Sequence, residues 1–407
     1  MKILVLNSGS SSQKIALYCL REPIPDVPAT PEWEGRINWH GNEAEIETVT
    51  ASGLSTKARL KVSSRQEATQ QLLETMWSGN ATVINTASEI KVIGHRIVNG
   101  GAKYVDPVIM DAEVKSAIET ASVFAPLHNR AELEGIAIVQ RLMPHALQVA
   151  VFDTGFHRNL PEPAFVYPGP YEWLEKGIRR YGFHGINHEY CAGRAAQILN
   201  TELRSLKLVT CHLGNGCSLA AIRDGRSIDT TMGFTPLEGL MMGTRSGSID
   251  PGILTYLMRQ DKLTAEELDN LLNEKSGLLG ISGLSGDMRE IVTKMKEADG
   301  RATLAFEMFV HRLRSSIGAM IALLGGIDAL VFTGGIGESS VEVRAAACET
   351  LGFAGIHCDA VKNAQSPIDQ DIAQADAPAH VLVIRAREEW AIARACILLS
   401  RRGNLEA

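Results

Sequence analysis

Short apolar runs alternate along this chain with longer stretches of helical character. The runs at Ile3–Leu6, Ile15–Leu20, Val92–Ile93, Val149–Phe152, Leu208–Cys211, Leu219–Ile222, Ala329–Thr333 and Val381–Ile384 are short enough to be buried strands. Helices are predicted over Gln66–Met76, Ala131–Arg141, Ala265–Asn273, Ala302–Leu324 and Glu388–Arg401. The last opens with two glutamates and closes with two arginines, a charge order that suits the helix dipole. Such alternation predicts an α/β class. Residues 21–60, with Pro23, Pro25, Pro28 and Pro31, read as irregular and outside the core. The apolar stretch Ile317–Phe332 mimics a membrane span, but Gly325-Gly326 and Asp328 interrupt it, and it falls short of the ~20 residues a span needs. A helix, a glycine stop and a buried strand account for it better.

One grammar occurs twice. Ile3–Leu6 leads into Asn7-Ser8-Gly9-Ser10-Ser11-Ser12 and then a second strand. Further on, Leu208–Cys211 leads into His212-Leu213-Gly214-Asn215-Gly216-Cys217-Ser218 and again a strand. Each reads as a hairpin with a small, polar tip. Small residues let backbone N–H groups face a ligand unobstructed. Two such hairpins, one per half, could face each other across a cleft and hold a polyphosphate.

At 407 residues the chain exceeds what one core accommodates, and a boundary is expected near residue 155, after the Val149–Phe152 strand. Apolar residues at 45% and charged residues at 21% fit a globular protein. Lys and Arg number 40 against 47 Asp and Glu, a net charge of −7. That balance argues against general nucleic-acid binding. It also means that an anionic substrate must find its positive charge locally. The seven cysteines are scattered and form no C-x-x-C pair, as expected of reduced thiols in the cytoplasm. The apolar run at the start is too short for a signal-peptide core.

Neither G-x-x-x-x-G-K-[ST] nor a helix-opening G-x-G-x-x-G is present. Gly334-Gly335-Ile336-Gly337-Glu338-Ser339 comes near the second, but has Ser at its last position. It follows the Ala329–Thr333 strand and precedes a helix-like run, Val341–Leu351, so it reads as a glycine turn able to pass close to a flat ring.

Two longer motifs are more specific. Asn7-Ser8-Gly9-Ser10-Ser11-Ser12-Gln13-Lys14 resembles the opening signature of the acetate kinase family. Met232-Gly233-Phe234-Thr235-Pro236-Leu237-Glu238-Gly239-Leu240-Met241-Met242-Gly243-Thr244-Arg245-Ser246-Gly247-Ser248-Ile249-Asp250-Pro251 resembles its second. Between them, in family order, stand Gly94-His95-Arg96, Ala125-Pro126-Leu127-His128-Asn129, Phe152-Asp153-Thr154, Tyr181-Gly182-Phe183-His184-Gly185 and His212-Leu213-Gly214-Asn215-Gly216. The resemblance runs from residue 2 to about 395.

It implies a duplicated two-domain α/β fold of the actin, hexokinase and heat-shock ATPase kind, with nucleotide in an interdomain cleft. The expected domains are 1–155 plus 388–407, the acid-binding lobe, and 156–387, the nucleotide-binding lobe. The implied reaction moves the γ-phosphoryl group of ATP directly onto acetate, giving acetyl phosphate and ADP. A carboxylate is already an anion and needs no base; what it needs is relief of repulsion. Arginine provides this, because its planar fork grips carboxylate or phosphate through two hydrogen bonds. By the resemblance, Arg96 holds the acceptor and Arg245 the transferring phosphoryl group. His184 and Asn215 donate to phosphoryl oxygens, and Asp153 is the acidic residue at the reacting centre. Val98, Leu127, Phe183 and Pro236 line the acid pocket. ATP would be held by Lys14, Ser10 and Ser12, by His212, Leu213, Gly214, Asn215 and Gly216, and by Asp287, Met288 and Arg289 with Gly335, Ile336, Gly337, Glu338 and Ser339. Asn7 and Glu388 would lie at Mg²⁺, with Mn²⁺ able to substitute. The resemblance also implies a cytoplasmic homodimer without nucleic-acid or membrane partners.

The chain departs from the family pattern at several points. Asn99 stands where a second His is usual, Gly155 where Ala is usual, and Asn187 where Ser is common. Arg385-Ala386-Arg387 precedes the glutamates in place of the usual Thr and Asn or Asp, so Arg387 could pair with Glu388 and weaken it at the metal. His184 and His188 form H-x-x-x-H, but no third ligand accompanies them as a zinc site requires. Three alternatives differ in what they require. A kinase for propionate or another short-chain acid would differ only in its pocket. An actin- or chaperone-type ATP-binding protein would need neither Arg96 nor Arg245. A sugar kinase would want an Asp base, a role Asp153 keeps formally open.

Overall fold

The computed structural model describes residues 1–9, 12–21, 23–40, 43–62, 64–122 and 126–405; the side chains of residues 40, 126–128, 130 and 402–405 stand outside that description. The chain divides into two compact units, Met1–Gly155 with Arg387–Ala407, and Phe156–Ala386.

The first unit is built on one mixed sheet. Its strands are β1 (Lys2–Ser8), β2 (Ser12–Cys19), β3 (Trp33–His40), β4 (Glu43–Thr50), β5 (Ser55–Lys61), β6 (Ile90–Ile97), β7 (Val108–Ile109) and β8 (Leu147–Phe152), in the order β5-β4-β3-β2-β1-β6-β8-β7. β1, β2 and β3 form an antiparallel meander, and β6 and β8 add to β1 in parallel. The helices Arg65–Glu74 and Pro126–Leu142 cover one face, where Leu4, Leu6, Ile15 and Leu17 meet Leu72, Ile138 and Val139. The C-terminal helix Glu388–Leu405 packs on β1 and β6.

Residues 21–60 contradict the irregular reading. β3 and β4 extend the core sheet from Trp33 to Thr50, and Trp33, Ile37 and Ala44 are fully buried. The prolines stop at Pro31. Beyond them a two-residue alternation sets in, with Trp33 and Ile37 inward and Glu34 and Arg36 between them. Burying a Leu- or Ile-sized side chain contributes about 1.5–3 kcal/mol, so β3 belongs to the core.

The second unit repeats the plan. β9 (Leu208–Leu213), β10 (Cys217–Arg223) and β11 (Arg226–Thr230) form the meander, β12 (Ala329–Thr333) and β14 (His380–Val383) add in parallel to β9, and β13 (Gln370–Asp371) closes the order β11-β10-β9-β12-β14-β13. The Gly300–Leu324 helix ends on Gly325, and β12 follows, as the broken apolar stretch predicts. Gly334–Ser339 corrects the expected glycine turn: it is a short helix following β12 directly. Among the described residues no helix is long and apolar enough to cross a membrane.

Candidate active site

In the first unit the site gathers where β1, β6 and β8 end. Parallel neighbours deliver their last side chains to the same edge, and such edges are where open α/β sheets bind ligands. Arg96, on β6, donates from Nη2 to Asp153 Oδ2 at 2.7 Å and from Nη1 to Asn7 Oδ1 at 3.3 Å. Asp153 follows β8 and is fully buried; its N–H donates to the Ile97 carbonyl at 2.8 Å. Burial alone would pull the Arg96 guanidinium down. Asp153 above all, then Glu388, overcome it and hold the charge well above the usual range. Arg96 Nε is buried and has no hydrogen-bond partner among the described residues.

Asn7 Nδ2 donates to Glu388 Oε2 at 2.8 Å and to Glu389 Oε1 at 2.9 Å. The sequence reading named Asn7 and Glu388; Glu389 joins them, although its only signal in sequence was its place beside Glu388. Hard oxygen donors of this kind suit Mg²⁺, and the grouping fits a divalent ion. Arg387 forms no ion pair with Glu388 among the described residues, and its Nε is buried without a partner.

Lys14 is exposed and stands opposite Asn7 in the β1–β2 register. The Ser12 carbonyl closes the hairpin by accepting the Gly9 N–H at 2.8 Å. Ser10 lies outside the described residues. Val98 is buried, and its N–H donates to both Glu132 oxygens at 3.2 Å. Leu127 falls in the Pro126–Leu142 helix, its side chain outside the description. Asn99 is fully buried and accepts the Gly101 N–H at 2.8 Å. Gly155 has a local reason: a Cβ there would come within 2.3 Å of the Val105 carbonyl.

In the second unit His184, Arg245 and the β9–β10 hairpin converge. A Cβ on Gly216 would lie 3.1 Å from His184 Nε2 and 3.6 Å from Arg245 Nη1, so a glycine at the tip leaves that space open. His184 caps the Gly185–Ile198 helix from a left-handed backbone (φ 57°) and stacks on His212, with centroids 4.1 Å apart. The amide nitrogen of Asn187 lies 2.7 Å from His212 Nδ1; as a donor it fixes that nitrogen as an acceptor. Asn187, noted as a departure, thus orients the stack. His188 places its ring nitrogens 2.7 Å from Thr210 Oγ1 and 3.1 Å from Ser218 Oγ, which occupies both and disposes of the zinc pair.

Arg245 donates to the Pro236 carbonyl at 3.3 Å and has no carboxylate partner among the described residues. Burial pulls its guanidinium down, with Glu274 opposing. A half-buried cation without a counter-ion is suited to receive an anion. Asn215 is exposed at the tip, between Gly214 and Gly216, and its carbonyl accepts the Gly243 N–H at 3.2 Å. Leu213 ends β9 fully buried. Phe183 is buried, and its carbonyl lies 3.1 Å from His157 Nε2.

The segment expected at the nucleoside begins at Asp287, which caps the Met288–Lys296 helix and pairs with the exposed Arg289; Met288 is buried. In the Gly334–Ser339 helix, Ser339 Oγ donates to the Gly335 carbonyl at 2.5 Å, and the Glu338 carboxylate accepts N–H groups from Gly334 at 3.0 Å and Ala386 at 2.8 Å. Ile336 closes this helix by accepting the Ser340 N–H. Sequence reasoning missed Arg344. It is fully buried and donates to the Gly337 carbonyl at 2.9 Å, the Glu338 carbonyl at 2.7 Å and Asn363 Oδ1 at 2.7 Å. An arginine on an amphipathic helix gives no sign in sequence that it is inside.

The structure thus brings Arg96, Asp153, Asn7 and Glu388 together in one unit, and His184, Arg245 and the Asn215 tip together in the other. The comparisons bear on family and fold. The Acetokinase family model matches residues 2–394. Acetate kinase of Nostoc punctiforme is 55% identical over 399 residues, 97% of this chain and 98% of that one. The crystal structure of Porphyromonas gingivalis acetate kinase matches with a TM-score of 0.89 at 37% identity, covering 98% of this chain and 99% of the other. A propionate kinase from Francisella tularensis matches with a TM-score of 0.89 at 36% identity, over 98% and 99%. Matched along nearly its whole length in sequence and in fold, the chain belongs to the acetokinase family.

Proposed function

We propose that this protein is an ATP-dependent acetate kinase, transferring the γ-phosphoryl group reversibly between ATP and acetate by direct displacement. The observation that carries the reading is the Arg96 guanidinium. Its side chain is 10% exposed, and Asp153 and Asn7 hold two of its nitrogens in place. Such a group neutralises an incoming carboxylate and leaves one of its oxygens free as the nucleophile.

Arg245 and His184 take the charge that spreads over the transferring phosphoryl oxygens, with the Asn215 tip positioning them. Asp153 is read as the residue that orients Arg96, because its Oδ2 is committed to that guanidinium. Asn7, Glu388 and Glu389 supply oxygens for a divalent ion, read as Mg²⁺. When bound, the ion neutralises phosphate charge. The Met1–Gly155 unit is read as the acid-binding lobe and the Phe156–Ala386 unit as the nucleotide-binding lobe. A cytoplasmic homodimer belongs to the same reading.

The Francisella tularensis match supports a second acceptor, propionate. One methylene in an apolar pocket is worth only about 1–3 kcal/mol, so the two acids differ by degree. The test is hydroxamate trapping with ATP, Mg²⁺ and acetate, propionate or butyrate in turn. Acyl hydroxamate that is greatest with acetate supports the reading; none with any acid overturns it.

A further inference from the structure

The Pro126–Leu142 helix turns two polar side chains inward, three residues apart. Asn129 is fully buried and donates from Nδ2 to the carbonyls of Asn99 and Ile118, both at 3.0 Å. Glu132 is 2% exposed and accepts the Val98 N–H on both oxygens. Two successive residues just beyond Arg96 are therefore held from one helix, Val98 by its N–H and Asn99 by its C=O. A carboxyl in an apolar interior is costly, and this one is spent on a single peptide N–H. That expense goes to fixing the segment between Arg96 and the apolar Val98.

The charged groups that face Glu132 are Arg96 and Asp153. Burial pushes its carboxyl up to about 8; Arg96 and the Val98 N–H oppose the rise, and Asp153 adds to it. At neutral pH it is mostly the uncharged acid. Arg96 then faces Asp153 and Glu388 without a further full negative charge, and an incoming carboxylate meets less repulsion.

We propose that Glu132 is a positioning residue for the acid acceptor: through the Val98 peptide it sets the Val98 side chain and the Arg96 guanidinium in the geometry that receives a small carboxylate. The inference rests on assigning Arg96 and Val98 to the acid, as in the reading above.

The test is steady-state kinetics of Glu132→Gln and Glu132→Asp beside Arg96→Ala, with thermal melts confirming that each variant is folded. Glu132→Leu, assayed beside these, removes the acceptor for the Val98 N–H and should raise the acetate KM about tenfold, the scale of one hydrogen bond, with the ATP KM unchanged; Glu132→Gln keeps an amide oxygen for that N–H and should raise it less. The ratio of kcat/KM for acetate over propionate should shift. In the parent enzyme, kcat/KM for acetate should fall as pH rises through about 8, because ionised Glu132 then sets a negative charge beside Arg96. That fall should vanish in Glu132→Gln and persist in Glu132→Asp, which keeps a carboxyl but shortens its reach. A folded Glu132→Gln enzyme with unchanged acetate KM, acid preference and pH profile overturns the role of Glu132 while leaving the acid assignment standing. An Arg96→Ala enzyme with unchanged acetate KM overturns the assignment itself, and this inference with it.

Discussion

Arg96 Nη2 donates to Asp153 Oδ2 at 2.7 Å, with Asp153 wholly withdrawn from water. Asp153→Asn keeps the shape and removes the charge. A buried cation losing its partner costs about 3–5 kcal/mol, so the urea midpoint should drop clearly. kcat/KM for acetate should fall on the order of 100-fold as the guanidinium loses its orientation. The shape of the pH profile should survive, because Asp153 orients and does not take a proton. A variant that loses its acid limb would assign Asp153 as a base instead.

Gly216 is the point where His184 Nε2 and Arg245 Nη1 come closest to the β9–β10 hairpin. A methyl group there would sit 3.1 Å from the first and 3.6 Å from the second. Gly216→Ala should lower kcat about tenfold or more by displacing these donors, with the melting temperature little changed. Stopped-assay rates beside a thermal melt separate the two effects.

Glu388 Oε2 takes one Asn7 amide proton and Glu389 Oε1 the other. Glu388→Ala should raise the Mg²⁺ concentration for half-maximal activity by roughly tenfold or more. Glu389→Gln should raise it less, since its amide oxygen can still accept from Asn7. Titrating Mg²⁺ at saturating ATP and acetate measures both. An unchanged Mg²⁺ requirement in Glu388→Ala would remove that residue from the metal.

His95 sits beside Arg96 on β6 but takes no part in the site. Burial pushes it down to about 4, opposed by its hydrogen bond to Gln148. The sign follows from proton uptake. Below the ordinary value of 6.5 the unfolded chain binds a proton that the folded chain refuses. Stability is therefore lost as pH falls from about 6.5 towards 4, by roughly 3 kcal/mol in all. His95→Gln should flatten this part of the curve of urea midpoint against pH.

The two hairpins could be read in advance because their strands are mostly apolar and their tips mostly small and polar. β3 could not, because four prolines precede it and its alternation is only a few residues long. The proposed catalytic positions were assigned through the long second signature and the Arg96 motif. Glu132 and Arg344 were not. Each is a charged residue on an amphipathic helix, where the sequence default is solvent, and only tertiary packing shows that their partners are buried peptide groups. The Gly334–Ser339 segment misled for a related reason: its glycines favour a turn, yet Glu338 and Arg344 bind its backbone groups and hold it helical.

The most direct measurement is the acetate KM of Arg96→Ala in the hydroxamate assay, with the ATP KM taken on the same enzyme. If Arg96 grips the acceptor, the acetate KM rises on the order of 100-fold while that for ATP stays within a factor of about two. Unaltered saturation by acetate would contradict the account at its base.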